Sequence, residues 1–213
     1  MLCLVKRLAD TRRCLSEGSF YQPVVEDLDG KKLGLVGLGA SGRALAKRAH
    51  GIGMRVAAID VADIPQDVLR DSHIGWFGRT SQMGRLLEES DFVSIHVPLL
   101  ESTYHLIDAK ALDRMKSGAY LINVARGAIV DEEALLAALQ AGRLAGAGLD
   151  VFSQEPLDTS HPFLHMDNVV VTQHIAGSSR STSRGRAGAA AENVFRVANG
   201  LPPLHPVTSA GHS

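Results

Sequence analysis

Leu33-Gly34-Leu35-Val36-Gly37-Leu38-Gly39-Ala40-Ser41-Gly42 decides the fold. An apolar run of strand length, 33–36, passes directly into a Gly-x-Gly-x-x-Gly turn, and 43–50 continues as a helix. In that context each glycine has a physical task. Gly37 permits the tight turn, Gly39 lets a pyrophosphate approach the backbone, and Gly42 allows the helix to pack closely on the strand. The amides near Ala40 and Ser41 would face the anion at the helix N-terminus. Asp60 ends the next apolar run, where a carboxylate can accept hydrogen bonds from the adenosine ribose hydroxyls. The same charge would repel a 2′-phosphate, so NAD is favoured over NADP. Asp63 would add to that negative field if the turn folds back. No Lys-Ser/Thr follows the glycines, so the turn is not a P-loop. An S-adenosylmethionine-binding domain is a closer rival, since it also pairs a glycine turn with an acid on the second strand.

Outward from this turn, short apolar runs alternate with helix-like segments, the signature of βαβ units. Strands are expected at 33–36, 55–59, 74–77 (weak), 92–97, 119–124, 145–151 and 168–172. Several lack polar alternation, as strands covered on both faces do. The expected fold is α/β, a Rossmann doubly wound parallel sheet of about seven strands. Helices are expected at 43–50, at 83–89 with Ser81 as cap, and from Asp131 to 140 with Gly142 as C-cap. A long closing helix is expected at 178–199 and an opening helix at 2–15. The expected division is a lead-in helix and linker over 1–26, a nucleotide-binding domain over 27–177, and a closing helix and tail over 178–213.

Composition narrows the function classes. The 213 residues carry 22 Lys+Arg against 23 Asp+Glu, a net charge of -1, so no basic excess points to nucleic acid or a membrane surface. Arg180, Arg184 and Arg186 read as a solvated helix face. The opening stretch, Met1 to Phe20, has no long unbroken apolar run and reads as neither a secretory signal nor a membrane span. Cys3 and Cys14 fit neither a redox pair nor a zinc ligand set and read as reduced thiols of a cytoplasmic protein. No metal site is expected.

Open α/β sheets bind ligands beyond the carboxyl ends of their strands. After the fifth strand comes Asn123-Val124-Ala125-Arg126-Gly127. After the sixth comes Asp150-Val-Phe-Ser-Gln-Glu155-Pro156, and after the seventh His174-Ile-Ala176-Gly177. These types suit hydride transfer to or from a 2-oxo/2-hydroxy acid. Arg126 would fork onto a carboxylate and polarise the neighbouring carbonyl. His174 would deliver or remove the hydroxyl proton near neutral pH. Glu155 beside it would favour the charged imidazole, and Asp150 could accept from a nicotinamide carboxamide. Singly, each has a structural reading: Arg126 a solvated strand end, Glu155 a turn carboxylate, His174 a satisfied loop histidine. His96, inside the fourth strand, reads as a buried hydrogen-bonding residue. His50, His73, His105, His161, His165, His205 and His212 show no ligand set.

Five ordered strings carry a resemblance: Gly37-Leu-Gly39, His96-Val97-Pro98-Leu99, Asn123-Val-Ala-Arg126 through Glu132, Gly148-Leu-Asp150 through Pro156, and Thr172-Gln-His174 through Gly177. From the opening helix to about Pro206 the chain resembles the D-isomer-specific 2-hydroxyacid dehydrogenases. The resemblance implies catalytic roles for Arg126, Glu155 and His174. It implies pyrophosphate contacts at Ala40 and Ser41, a ribose contact at Asp60, and a nicotinamide contact at Asp150. Val97 and Pro98 would line the adenine side, with Val124, Ala125, Ala176 and Gly177 also at the cofactor. Glu155 resembles the hydroxyacid branch, because formate dehydrogenases carry Gln there. NAD, a small 2-hydroxy or 2-oxo acid and a homodimer are implied with it. Gln173 departs from the family, which often has Pro before the His. The chain also starts at the helix that in the family follows a substrate-binding lobe, so weak or absent turnover by the chain alone is expected. A non-catalytic NAD-binding or interaction module, and a misassigned start codon, are the competing readings.

Overall fold

In the computed structural model, which describes residues 1–206, the first strand (β1) is Lys32–Val36 and lies third in a seven-stranded parallel sheet. The others are β2 (Arg55–Asp60), β3 (Ile74–Arg79), β4 (Phe92–Ile95), β5 (Tyr120–Asn123), β6 (Gly146–Leu149) and β7 (Val169–Val171). Their order is β3-β2-β1-β4-β5-β6-β7. The chain winds outward from β1 through β2 to β3, then crosses back to place β4 on the other side of β1. That reversal opens a crevice between β1 and β4 at their carboxyl ends, the usual ligand position in doubly wound sheets.

Alternation along the strands divides the core between the two sheet faces. Leu33, Leu35, Val56 and Ala58 belong to one apolar cluster, completed by Ala46 and Ala49 of the helix after β1. Val36, Ala57, Ile59, Val93 and Ile95 belong to the other. It is completed by Leu86 and Leu87, Ala111 and Leu112, and Leu135 and Leu139 from three later helices.

The helices are α1 (Leu2–Val5), α2 (Leu8–Ser16), α3 (Ala40–Gly51), α4 (Gln66–Asp71), α5 (Met83–Glu89), α6 (Ala109–Arg114), α7 (Glu132–Gln140) and α8 (Arg180–Ala198). Several depart from expectation. The opening helix breaks in two because Arg7 adopts a left-handed conformation (φ 46°). The helix after the glycine turn starts at Ala40, so Gly39 is its N-cap. Ser81 does not cap α5; it lies in a short 3₁₀ turn, Thr80–Gln82, that leads into it. The six-residue helices α4 and α6 were not expected. β4 ends at Ile95, so His96 lies just beyond the strand rather than inside it. Asp131 caps α7 by accepting from the Ala134 amide, and Gly142 (φ 67°) follows its end, both as expected.

By packing, the chain divides into Met1–Gln173 and His174–Ser213. The first holds the sheet. The second is built on α8, which is capped by the Ser179 hydroxyl accepting from the Thr182 amide. The chain after α8 is tied to it by Leu204 N donating to Asn193 Oδ1 (2.6 Å) and Arg196 Nε donating to Pro202 O (2.7 Å). His212 lies outside the described residues.

Candidate functional site

The glycine turn is shaped by close approaches. Gly37 has φ 96°, and a Cβ there would stand 2.9 Å from the backbone carbonyl of His96. A Cβ on Gly42 would stand 2.4 Å from Gly37 O, so α3 packs directly on the turn. Gly39 differs: a Cβ there would meet nothing within 4 Å. The fold itself does not require glycine at that position, whereas a ligand lying against the backbone does. The first amides of α3, which lack intrahelical partners, open beside it. This open cradle fits a dinucleotide's diphosphate.

Asp60, at the end of β2, holds the turn in place. Its Oδ2 accepts from Leu38 N (2.6 Å) and its Oδ1 from Ala62 N (2.9 Å). Each carboxylate oxygen keeps a further lone pair. Asp63 does not simply add negative field: it is paired with Arg79, which also donates to Val61 O (2.8 Å).

Ser41, Val97, Pro98, Val124, Ala125 and Arg126 line one cavity of about 320 Å³ at the carboxyl ends of β4 and β5. His96 lines it too. His96 Nδ1 lies 2.9 Å from Ser41 Oγ, and Nε2 lies 3.0 Å from the buried Ser94 Oγ. Burial pulls the imidazole down to about 4 from its ordinary 6.5, so the ring is neutral at physiological pH.

Arg126 is exposed, and Nη1 donates to Ala125 O (2.6 Å). Its backbone is held from beneath by buried Asn123. That side chain donates to Arg126 O (2.9 Å) and accepts from Ala125 N (3.1 Å). Gly127 then lets the loop after β6 approach: a Cβ there would fall 1.9 Å from Phe152 C. Glu132 Oε1 accepts from Ser153 N (2.7 Å), and Glu155 Oε1 accepts from Phe152 N (3.0 Å). The Arg126 and Glu155 loops are thus braced together within the first unit. Asp150 is buried and accepts from Thr172 Oγ1.

Among the described residues, Asn123 and Asp150, with Ser94, are three of the five buried polar residues, and all three lie at or near the carboxyl ends of the neighbouring strands β4, β5 and β6. Each is hydrogen-bonded where it is buried, Ser94 to His96, Asn123 to the Arg126 loop and Asp150 to Thr172. His174, Ala176 and Gly177 belong to the second unit. His174 holds φ 58°, a left-handed conformation that non-glycine residues adopt at a cost and that concentrates at functional positions. His96 makes hydrogen bonds through both ring nitrogens, as its reading as a buried hydrogen-bonding residue expected, although it lies just past the strand. The bracing residues Asn123, Glu132 and Thr172 and its partner Ser94 received no site role from the sequence. Their residue types are ordinary at strand ends and helix starts, and only the packing gives them partners.

A model of the D-isomer specific 2-hydroxyacid dehydrogenase NAD-binding domain matches residues 1–176. A glyoxylate reductase of Korarchaeum cryptofilum is 40% identical over 210 residues, covering 95% of this chain and 62% of the relative. The chain therefore spans less than two thirds of that relative's length. The D-lactate dehydrogenase of Lactobacillus jensenii, solved with NAD+, superposes with a TM-score of 0.86 at 30% identity, over 98% of this chain and 65% of the other. A D-isomer specific 2-hydroxyacid dehydrogenase of Xanthobacter autotrophicus, solved with NADPH and MES, gives 0.84 at 32% identity, over 100% and 85%. With its sheet order, glycine turn and matched domain, the chain belongs to the D-isomer specific 2-hydroxyacid dehydrogenases by their NAD-binding domain.

Proposed function

We propose that this chain supplies the cofactor half and the reacting side chains of an oxidoreductase that interconverts a D-2-hydroxy acid and its 2-oxo acid with NAD. One observation carries the proposal: the exposed, backbone-braced Arg126 opens into the same cavity as Ser41 of the glycine turn. Ala40, Ser41 and Asp60 would hold the dinucleotide at the β1–β4 crevice, with Val97 and Pro98 on the adenine side. Asp150, Val124, Ala125, Ala176 and Gly177 would lie at its nicotinamide end.

When bound, NAD supplies the hydride acceptor or donor. Arg126 would bind the substrate carboxylate in fork geometry and polarise the adjacent carbonyl. His174 would give its proton to the carbonyl oxygen in reduction and take it back in oxidation. Glu155 would orient that imidazole. The functional domain would run over 27–177, with 178–213 as a closing element.

The test is reduction of glyoxylate or hydroxypyruvate by NADH. The expected result is turnover, even if slow, that falls about 10²- to 10⁴-fold in His174→Ala and is lost in Arg126→Ala, with NAD affinity kept in both. NAD binding without any 2-oxo acid reduction would instead support the non-catalytic binding module. Among the described residues no helix is long and apolar enough to cross a membrane. Leu2, Leu8 and Leu15 of the opening helices are exposed, which supports a homodimer; light scattering at the mass of two chains is the expected outcome.

A further inference from the structure

Ser94 is fully buried on β4, and its hydroxyl hydrogen must go somewhere. Among the described residues Ser94 Oγ has one hydrogen-bond partner, His96 Nε2 at 3.0 Å. A neutral imidazole has one N–H and one bare nitrogen. If Nε2 carried the proton, it would donate to Ser94 Oγ, and the Ser94 hydroxyl would be left buried with no acceptor. Such an orphan costs about 1–3 kcal/mol. The satisfied arrangement has Ser94 O–H donating to Nε2 and the ring proton on Nδ1.

Nδ1–H then donates to Ser41 Oγ, 2.9 Å away. Ser41 is exposed and lines the cavity at the start of α3. Its oxygen is engaged as an acceptor from below, so its own hydrogen is turned outward. We infer that His96 is a positioning residue whose tautomer, set by Ser94, makes Ser41 an outward donor to a diphosphate oxygen of the bound dinucleotide. The ring holds no formal charge, so the chain from Ser94 to Ser41 orients one hydrogen without placing a cation under the turn. A hydroxyl free to rotate can serve a donor or an acceptor. One held in this way serves acceptors, and phosphate oxygens accept only. This inference rests on the NAD reading of the site.

Two measurements on the full chain separate it from that reading. Long-range ¹H–¹⁵N correlation spectra of histidine-labelled protein without cofactor should show His96 protonated on Nδ1. Ser94→Ala, a mild change, should let the Nε2–H form appear. An Nε2–H tautomer in the parent protein overturns the inference. Calorimetry should show Ser41→Ala weakening NAD about 10- to 100-fold, with Ser41→Thr restoring it and adenosine affinity unchanged. NAD affinity untouched by Ser41→Ala overturns the inference even though NAD binds. If the parent chain binds no NAD, the cofactor reading fails and the diphosphate goes with it, while the spectrum still decides the tautomer relay.

Discussion

Asp60 serves two purposes with one carboxylate. It tethers the glycine turn through Leu38 N and the following loop through Ala62 N, and it sets the charge where the ribose would lie. NAD is therefore expected to bind more tightly than NADP, and equal or tighter NADP binding by calorimetry would contradict this. Asp60→Ala should weaken NAD and narrow its margin over NADP, because the repulsion of a 2′-phosphate goes with the charge. His96 makes a second prediction at this scale. The unfolded chain titrates this histidine near 6.5, the folded chain near 4. Between those values the unfolded state takes the proton and the native state does not, so stability falls as pH drops through that window. From pH 7 to pH 5 the loss is about 2 kcal/mol from this residue. Urea midpoints at the two pH values should differ less in His96→Gln; an unchanged difference would rule the histidine out as the cause. The identity of Asp60 was legible because its position in a βαβ unit fixes its neighbourhood. His96 was legible only in part: its place at the strand marked a buried hydrogen-bonding residue, while its partner Ser41, distant in the chain, is brought within 2.9 Å only by the fold.

Among elements, the loops after β5 and β6 behave as one support. Asn123 fixes the first, Glu132 at the start of α7 holds the second through Ser153 N, and Gly127 lets their backbones touch. Gly127→Ala would push a methyl into the Phe152 backbone, which has no flexible end to yield. The expected cost is about 1–3 kcal/mol, read as a fall in Tm, together with a drop in 2-oxo acid reduction out of proportion to the stability lost. A variant as stable and active as the parent would show that the loops part freely. The sequence made α7 legible down to its Asp131 cap, because cap, acidic first turn and apolar spacing agree. It missed α4 and α6 because six residues hold too little periodicity to register. It joined α1 to α2 because an arginine gives no sign of the left-handed conformation that separates them. Strand ends were read too long at β4 and β6, where the apolar run continues past the last paired residue into the site loops.

At the scale of the whole chain, the apolar core and the chemistry are distributed unequally. Every buried hydrophobic residue described lies at or before Val169, within Met1–Gln173. α8 contributes no buried residue, and Val194, Phe195 and Val197 on it stand exposed. Yet His174, the proposed proton carrier, begins the second unit. Stability and proton transfer should therefore separate on truncation. A chain ending at Gln173 keeps both core clusters, the full sheet and the glycine turn, so it should unfold cooperatively, with a melting temperature within a few degrees of the parent. It should still bind NAD, because Gly37, Ser41 and Asp60 are retained. Reduction of glyoxylate or hydroxypyruvate should be lost, since the proposed proton carrier is removed; the loss should match that of His174→Ala, about 10²- to 10⁴-fold or beyond detection. The measurement is a thermal melt, a calorimetric NAD titration and an NADH oxidation assay on the same sample. Loss of the cooperative transition would show that the second unit is needed for the sheet to fold, and retained turnover would remove His174 from the mechanism.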